Sequence, residues 1–198
     1  SMKRVVAGLA AVWLGAAAPA FAQDKQQIEL TAAQQDEMYC VYEYLDLFAD
    51  KGKLATAYMS GDRESADFQE QIGLVDEGAQ SCGKEFAWTE DETATVSMLG
   101  LYAFLGDVLD KRLQDKKLTE KDLDVVYRAA EALSREDKDT FVNGEWFDDK
   151  ALEQRLTKVL SDGGLKGEAV LTESFYLTEA YIITMAMMQE WVRGLKKG

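Results

Sequence analysis

Hydrophobic side chains recur along most of the chain at spacings of three and four residues, the period of a helix with one buried face. The first such segment spans about residues 31–49. Apolar residues cover more than half of its circumference, so we expect it to contact several neighbours. The predicted buried arc holds Met38, Val41, Tyr42, Leu45, Phe48 and Ala49, extended on one side by Cys40, Tyr44 and Leu47.

Further helical segments are predicted at about residues 53–59, 62–83, 90–116, 120–133, 135–142, 148–160 and 167–195. Three starts carry a hydroxyl three residues before an acceptor side chain, the pattern of a capping box: Thr31 with Gln34, Thr89 with Glu92 and Thr119 with Asp122. Asp62 is a further candidate N-cap. Glycines are expected to end segments, with Gly83 as a C-terminal stop and turns at Asn143-Gly144 and Gly163-Gly164.

Alternating patterns of strand length are absent, so the sequence predicts an all-α fold, an irregular helical bundle of five to seven helices. Residues 90–116 are apolar on all sides in the middle, which is typical of a central helix. The last segment is also strongly apolar, but Glu173, Glu179 and Glu190 interrupt it, and it is therefore not expected to span a membrane.

The first 22 residues have the layout of a secretory signal peptide: a basic start at Lys3 and Arg4, an apolar run, then Pro19 and Ala20-Phe21-Ala22. Ser1 before Met2 is interpreted as a cloning remnant. The alternative is an uncleaved N-terminal anchor. Cleavage would leave residues 23–198 as a single helical domain in the periplasm or outside the cell, without stable membrane insertion.

An exported chain with two cysteines predicts one disulfide, between Cys40 and Cys82. Both lie on or beside apolar faces of neighbouring predicted helices, as a bridge requires. The spacing is not that of a CxxC redox motif, so thiol catalysis is not expected. Two buried free thiols are the alternative.

The formal net charge is −14, and removal of Lys3 and Arg4 with the signal would make it −16. This charge disfavours binding to nucleic acid and to anionic lipid, whereas it favours solubility or attraction to a basic partner. The chain has no histidine, which excludes Ser-His-Asp and Cys-His catalysis and histidine-based zinc sites. No cofactor or metal ion is predicted.

Trp146-Phe147, next to the Asn143-Gly144 turn, is a candidate protein interface, since aromatic residues in exposed turns often anchor contacts. The alternative is that both rings fold back onto the bundle. The last helix offers a candidate apolar pocket, for which ordinary core packing is the alternative; its residues are Phe175, Tyr181, Met185, Met188 and Trp191.

Carboxylates are the only abundant side chains suited to acid–base catalysis. Glu173-Ser174 resembles the glutamate-serine pair of lytic transglycosylases over two residues only, and we expect Glu173 to be partly exposed. Glu179 is also expected to face solvent. The stretch from Asp137 to Gly144 resembles the start of an EF-hand, but its ligand register fails, so no calcium site is assigned and no catalytic residue is predicted.

Three functions fit these features. The first is a non-catalytic periplasmic protein that binds a protein partner, for which the acidic charge suggests a basic surface. The second is a carrier of a small apolar ligand held between helices. The third is a hydrolase of envelope polymers that works through carboxylates. The sequence favours the first and does not name the partner.

Overall fold

The computed structural model describes residues 11–13 and 27–195. Most of the predicted signal peptide therefore lies outside the described residues. Two three-residue strands, β1 (Ala11–Trp13) and β2 (Gln27–Glu29), pair antiparallel, with Val12 opposite Ile28. β1 falls within the predicted signal, and this short pair is the only sheet in the part of the chain that the structure describes.

Helices form the rest of the architecture, as predicted, but the described residues hold nine α-helices rather than five to seven. A 3₁₀ helix, Trp146–Asp148, lies between the seventh and the eighth. In chain order the helices are α1 (Ala32–Met38), α2 (Cys40–Phe48), α3 (Lys51–Ser60), α4 (Ala66–Phe86), α5 (Glu90–Asp115), α6 (Glu120–Ala132), α7 (Arg135–Val142), α8 (Lys150–Asp162) and α9 (Glu168–Leu195).

All three predicted capping boxes are present. The hydroxyls of Thr31, Thr89 and Thr119 accept the backbone N–H three residues ahead, and the side chain at that third position accepts the N–H of the threonine in return. Each box satisfies two donors that a helix start otherwise leaves unpaired. The sequence therefore located the starts of α1, α5 and α6 correctly.

Several predicted boundaries were wrong. The segment at 31–49 is divided into α1 and α2 at Tyr39, although hydrogen bonds from Tyr39 N–H to Gln35 and from Glu43 N–H to Tyr39 keep the chain nearly helical there. Ser65, not Asp62, caps α4. Gly83 does not end this helix, which continues to Phe86. The helix ends at a left-handed Ala87 (φ 55°), after which the Trp88 N–H donates to the Gly83 carbonyl.

One apolar core draws on all nine helices, with α5 and α9 in the most extensive contact. Helix α2 is held very close to its neighbours. A Cβ atom at Gly100 of α5 would lie 2.8 Å from the Tyr42 backbone nitrogen and 2.8 Å from Val41 Cβ. Glycine is therefore needed at this crossing, and α2 has little freedom to move relative to α5.

Candidate functional site

The predicted disulfide joins the first residue of α2 to the last part of α4. Cys40 and Cys82 are bonded, with a Cα–Cα distance of 6.0 Å, and the described residues contain no free cysteine. Cys82 is buried within the core, as its place in the apolar stripe of α4 predicted. The bond fixes one end of an antiparallel seam between the two helices.

Polar and close apolar contacts continue this seam away from the disulfide. The ring of Tyr44 lies against Gly78, and the Tyr44 hydroxyl donates to Glu77 Oε2 at 3.1 Å. Beyond the last turn of α2, the Asp50 N–H donates to Gln71 Oε1 at 2.7 Å. Three separate links along the same seam therefore set the orientation of α2.

The outer surface of α2 exposes two large apolar side chains next to each other. Leu47 is 76% exposed and Phe48 is 60% exposed, and the Phe48 ring lies 4.6 Å, centroid to centroid, from the ring of Tyr44. We call Tyr44, Leu47 and Phe48 the α2 patch. Adjacent exposed apolar side chains of this size are typical of interaction sites rather than of a solvated helix face.

The sequence placed Phe48 on the buried arc, and this was wrong. Phe48 is the last residue of α2, so no further turn brings a neighbour over its ring. Leu47, which the sequence placed on the extension of this arc, is also exposed. Its exposure could have been recognised, because Leu47 shares a helix face with Glu43, four residues before it, and Asp50, three residues after it.

Several carboxylates lie on or close to the helix that carries the α2 patch. Between Thr31 and Asp50 the chain carries five acidic residues and neither lysine nor arginine: Asp36, Glu37, Glu43, Asp46 and Asp50. Glu77 adds a sixth from α4, at the Tyr44 hydroxyl. Lys51 opposes this charge in part through an ion pair with Asp46 at 3.2 Å. The acidic rim of the patch is therefore formed by Glu43, Asp46, Asp50 and Glu77, since Asp36 and Glu37 belong to α1.

The structure separates the two residues of the candidate aromatic interface. Trp146 is buried and folds back onto the bundle, where it stacks on Phe141 and Phe175. Phe147 stacks on Trp146 with a centroid distance of 3.8 Å but remains 44% exposed. An interface at this turn would therefore rest on Phe147 alone.

Four residues of the candidate apolar pocket are buried members of the core: Phe175, Tyr181, Met188 and Trp191. Met185 is half-buried and packs against that core. The Tyr181 hydroxyl donates to Glu131 at 2.6 Å. These placements match the core packing that was the alternative for this stripe.

Glu179 was expected to face solvent, and this was wrong. Its side chain is only 2% exposed and joins three elements of the fold. Tyr58 of α3 donates to Oε1 at 2.5 Å, and the indole N–H of Trp146 donates to Oε2. The hydroxyl of the half-buried Tyr102 of α5 lies 2.9 Å, oxygen to oxygen, from the Tyr58 hydroxyl and extends this chain of contacts.

Burial has the largest effect on the pKa of the Glu179 carboxyl group. Loss of water raises the pKa of Glu179 above its ordinary value of about 4.5, while the hydrogen bonds from Tyr58 and Trp146 and the charge of Arg63 lower it in part. The Arg63 guanidinium lies over the Tyr58 ring, 4.6 Å from its centroid. Both carboxyl oxygens are already occupied by donors from the protein.

Glu173 was expected to be partly exposed, and this was also wrong. It is buried at the interface of α5 and α9, where Lys116 Nζ lies 2.9 Å and Arg112 Nη2 3.1 Å from its Oε1 atom. Arg112 also donates to the Thr56 hydroxyl of α3 at 3.2 Å. Glu173 is thus the centre of a cationic cluster.

Elsewhere in this histidine-free chain, tyrosine hydroxyl and tryptophan indole groups donate hydrogen bonds to carboxylates. The pairs are Tyr42 with Asp107, Tyr127 with Asp110, and Trp88 with Glu37. Within the described residues, no three acidic or cysteine side chains are grouped in a way that would hold a metal ion.

Comparison with known proteins gives no relative: no protein-family model, curated protein or solved structure matches this chain. Among the described helices, none combines the length and apolar character required to cross a membrane. The function must therefore be argued from the chain's own chemistry.

Proposed function

We propose that this chain is an exported protein that acts without catalysis, by binding a basic protein partner through the α2 patch. The observation that carries the proposal is the pair of exposed side chains, Leu47 and Phe48, at the centre of an acidic rim. An apolar centre with a charged periphery is the usual arrangement of a protein-binding surface.

The apolar centre supplies a driving force. Full burial of a leucine or phenylalanine side chain contributes about 1.5–3 kcal/mol, so a partner that covers both residues gains a useful part of its binding free energy there. Tyr44 adds an aromatic ring beside Phe48 and a hydroxyl at the acidic edge. Aromatic residues of this kind are enriched among the strongest contacts of interfaces.

The charge selects the class of partner. A second copy of the mature chain would bring a like-charged rim and a net charge of −16 against the first, which opposes self-association. A basic partner is attracted instead, and its rate of association rises at low ionic strength. This is the pattern found for inhibitors of secreted enzymes, and the comparison rests on charge and compartment only.

The anchoring of α2 favours binding further. The Cys40–Cys82 bond and the close approach of Tyr44 to Gly78 hold the helix in one orientation before a partner arrives. A surface that is already ordered loses less conformational entropy on binding.

The cysteines and the N-terminal sequence support a location outside the cytosol. A disulfide is typical of proteins outside the cytosol, and the signal layout of residues 1–22 favours export, so the proposed location is the periplasm or the cell exterior. Secreted and periplasmic partners with basic surfaces are the class to search.

The alternatives have less support. An apolar ligand carrier would use Phe175 and its neighbours on α9, but these side chains pack in the core. A hydrolase would need a carboxyl group free to meet substrate. Glu179 has both oxygens bonded to protein donors, while Glu173 has one oxygen ion-paired and the other buried.

Capture from a periplasmic extract tests the proposal. The mature protein is immobilised, retained proteins are eluted with a salt gradient, and each is purified and its affinity measured at two ionic strengths. We expect a basic protein whose affinity falls as salt rises, because exposed charges are screened. An acidic partner, a salt-independent affinity, or binding of lipid-like probes alone would overturn the proposal.

A further inference from the structure

The carboxylate of Glu173 is bonded very unequally. Three donor contacts converge on Oε1: Lys116 Nζ at 2.9 Å, Arg112 Nη2 at 3.1 Å and Arg112 Nε at 3.2 Å. Oε2 is buried and has no hydrogen-bond partner. An ionised carboxylate accepts at both oxygens, and a buried acceptor without a donor is costly. The arrangement thus leaves one strong acceptor without a donor from the protein.

The charge around Glu173 is positive although the protein is acidic. Arg112 and Lys116 carry two positive charges against the single carboxylate, and Lys117 follows in the C-terminal turn, whereas Lys111 is paired with Asp115. The helix dipole contributes about half a negative charge at this end, which leaves an excess of positive charge. This excess favours an anion.

The two cations can be reached from solvent. Their side chains are 32% and 35% exposed for Arg112 and Lys116, and the Lys116 ammonium has three donor hydrogens, of which the Glu173 contact uses one. The Thr56 hydroxyl, held by Arg112, stands at the same edge as a further polar group. Oε2 itself is buried, so binding at this atom requires a local side-chain movement.

We propose that Glu173, Arg112 and Lys116 form a binding site for a protonated oxyanion, the chemistry shared by inorganic phosphate and phosphate monoesters. The unprotonated oxygens accept from Lys116 and Arg112, and the P–OH group donates to Glu173 Oε2. In such a ligand the acidic hydroxyl supplies a donor for the unpaired acceptor, and the negative oxygens match the excess positive charge of the cluster. The site is separate from the α2 patch and does not depend on the partner proposed there.

Selectivity against sulfate is the distinguishing property of this site. Near pH 6 inorganic phosphate retains a proton, whereas sulfate has none and would bring an oxygen lone pair against Glu173 Oε2. A site built around a hydrogen bond discriminates strongly against a ligand that lacks the donor. A simple patch of positive charge would bind the two anions alike.

Calorimetric titration of the folded protein with phosphate and with sulfate at pH 6 and low ionic strength tests the proposal. We expect phosphate to bind at least about tenfold more tightly than sulfate. Lys116→Ala should weaken phosphate binding at least about tenfold, since it removes a charged hydrogen bond. Lys111→Ala is the matched control, because it removes one exposed charge from the same helix that contacts Asp115 rather than Glu173.

Glu173→Gln tests the acceptor directly. The three donors at Oε1 hold the amide oxygen there, so the amide nitrogen replaces Oε2 and donates instead of accepting. Sulfate should then bind at least as tightly as phosphate. The proposal is overturned if wild type binds neither anion, if it binds both equally, or if Lys111→Ala weakens phosphate binding as much as Lys116→Ala. Circular dichroism of each variant identifies any that fails to fold.

Discussion

The ring of Tyr44 on α2 lies so close to Gly78 on α4 that a Cβ atom at position 78 would stand 2.9 Å from Tyr44 Cδ1 and 3.2 Å from Tyr44 Cβ. Because the Cβ of Tyr44 is itself in contact, rotation of the ring alone cannot relieve the overlap. Gly78 therefore fixes how closely the two helices approach, midway between the disulfide and the outer end of the α2 patch.

Gly78→Ala should destabilise the protein. Overpacking of this contact costs about 1–3 kcal/mol, and the better helix propensity of alanine returns only about 0.5–1 kcal/mol. Gly73→Ala is the control on the same helix, because nothing lies within 4 Å of its added Cβ. We expect Gly73→Ala to raise the free energy of unfolding in urea and Gly78→Ala to lower it. Equal effects at both positions would show that the contact is not tight.

Removal of the disulfide should lower stability without changing the fold. The bond closes a loop with a sequence separation of 42 residues, for which chain entropy gives about 4 kcal/mol as an upper value. Urea unfolding of the double variant Cys40→Ala, Cys82→Ala measures the loss. The unreduced wild type should show no thiol even when unfolded. Two titratable thiols there would contradict the bond.

Glu179 should make stability depend on pH. Burial raises its pKa in the folded protein above the ordinary value of about 4.5, so the native state binds a proton that the unfolded chain has released. Its contribution is present in full below pH 4.5 and is lost as pH rises through the folded-state pKa. The slope in that window approaches about 1.4 kcal/mol per pH unit.

Glu179→Gln is the variant that isolates this effect. The amide oxygen accepts from Trp146 N–H, and the amide nitrogen donates to Tyr58, whose hydroxyl hydrogen turns to Tyr102. Unfolding free energies of the two proteins between pH 4 and 8 should diverge in favour of the variant as pH rises. Parallel curves would mean that Glu179 does not change its protonation on folding.

The bundle could be predicted because its signals are local. Thr31, Thr89 and Thr119 each form a cap within four residues, and Cys82 continues a stripe visible in its own helix. The predicted number of helices was too low, and helix boundaries were misplaced, where local signals are weak. At Tyr39 the chain departs only slightly from helical geometry, and Ala87 ends α4 without the glycine that normally marks such a position.

The candidate sites could not be predicted because their partners are distant in sequence. Tyr58 and Glu179 are 121 residues apart, and Arg112 and Glu173 are 61 apart. A glutamate on an apolar helix usually faces water, and only the folded chain reveals the donors that allow burial. The prediction for Phe48 erred in the opposite direction: it was expected to be buried but is exposed, since α2 ends before another turn covers its ring.

The most direct test of the proposed function compares two exposed apolar residues on different surfaces. Phe48→Ser changes the α2 patch, whereas Val159→Ser changes a residue of α8 that is 50% exposed. Affinity for the purified basic partner is measured for both variants and for wild type. We expect Phe48→Ser to weaken binding at least about tenfold, as a central aromatic anchor does, and Val159→Ser to leave it within about twofold. Binding by Phe48→Ser at wild-type strength would contradict the assignment of the α2 patch as the partner site.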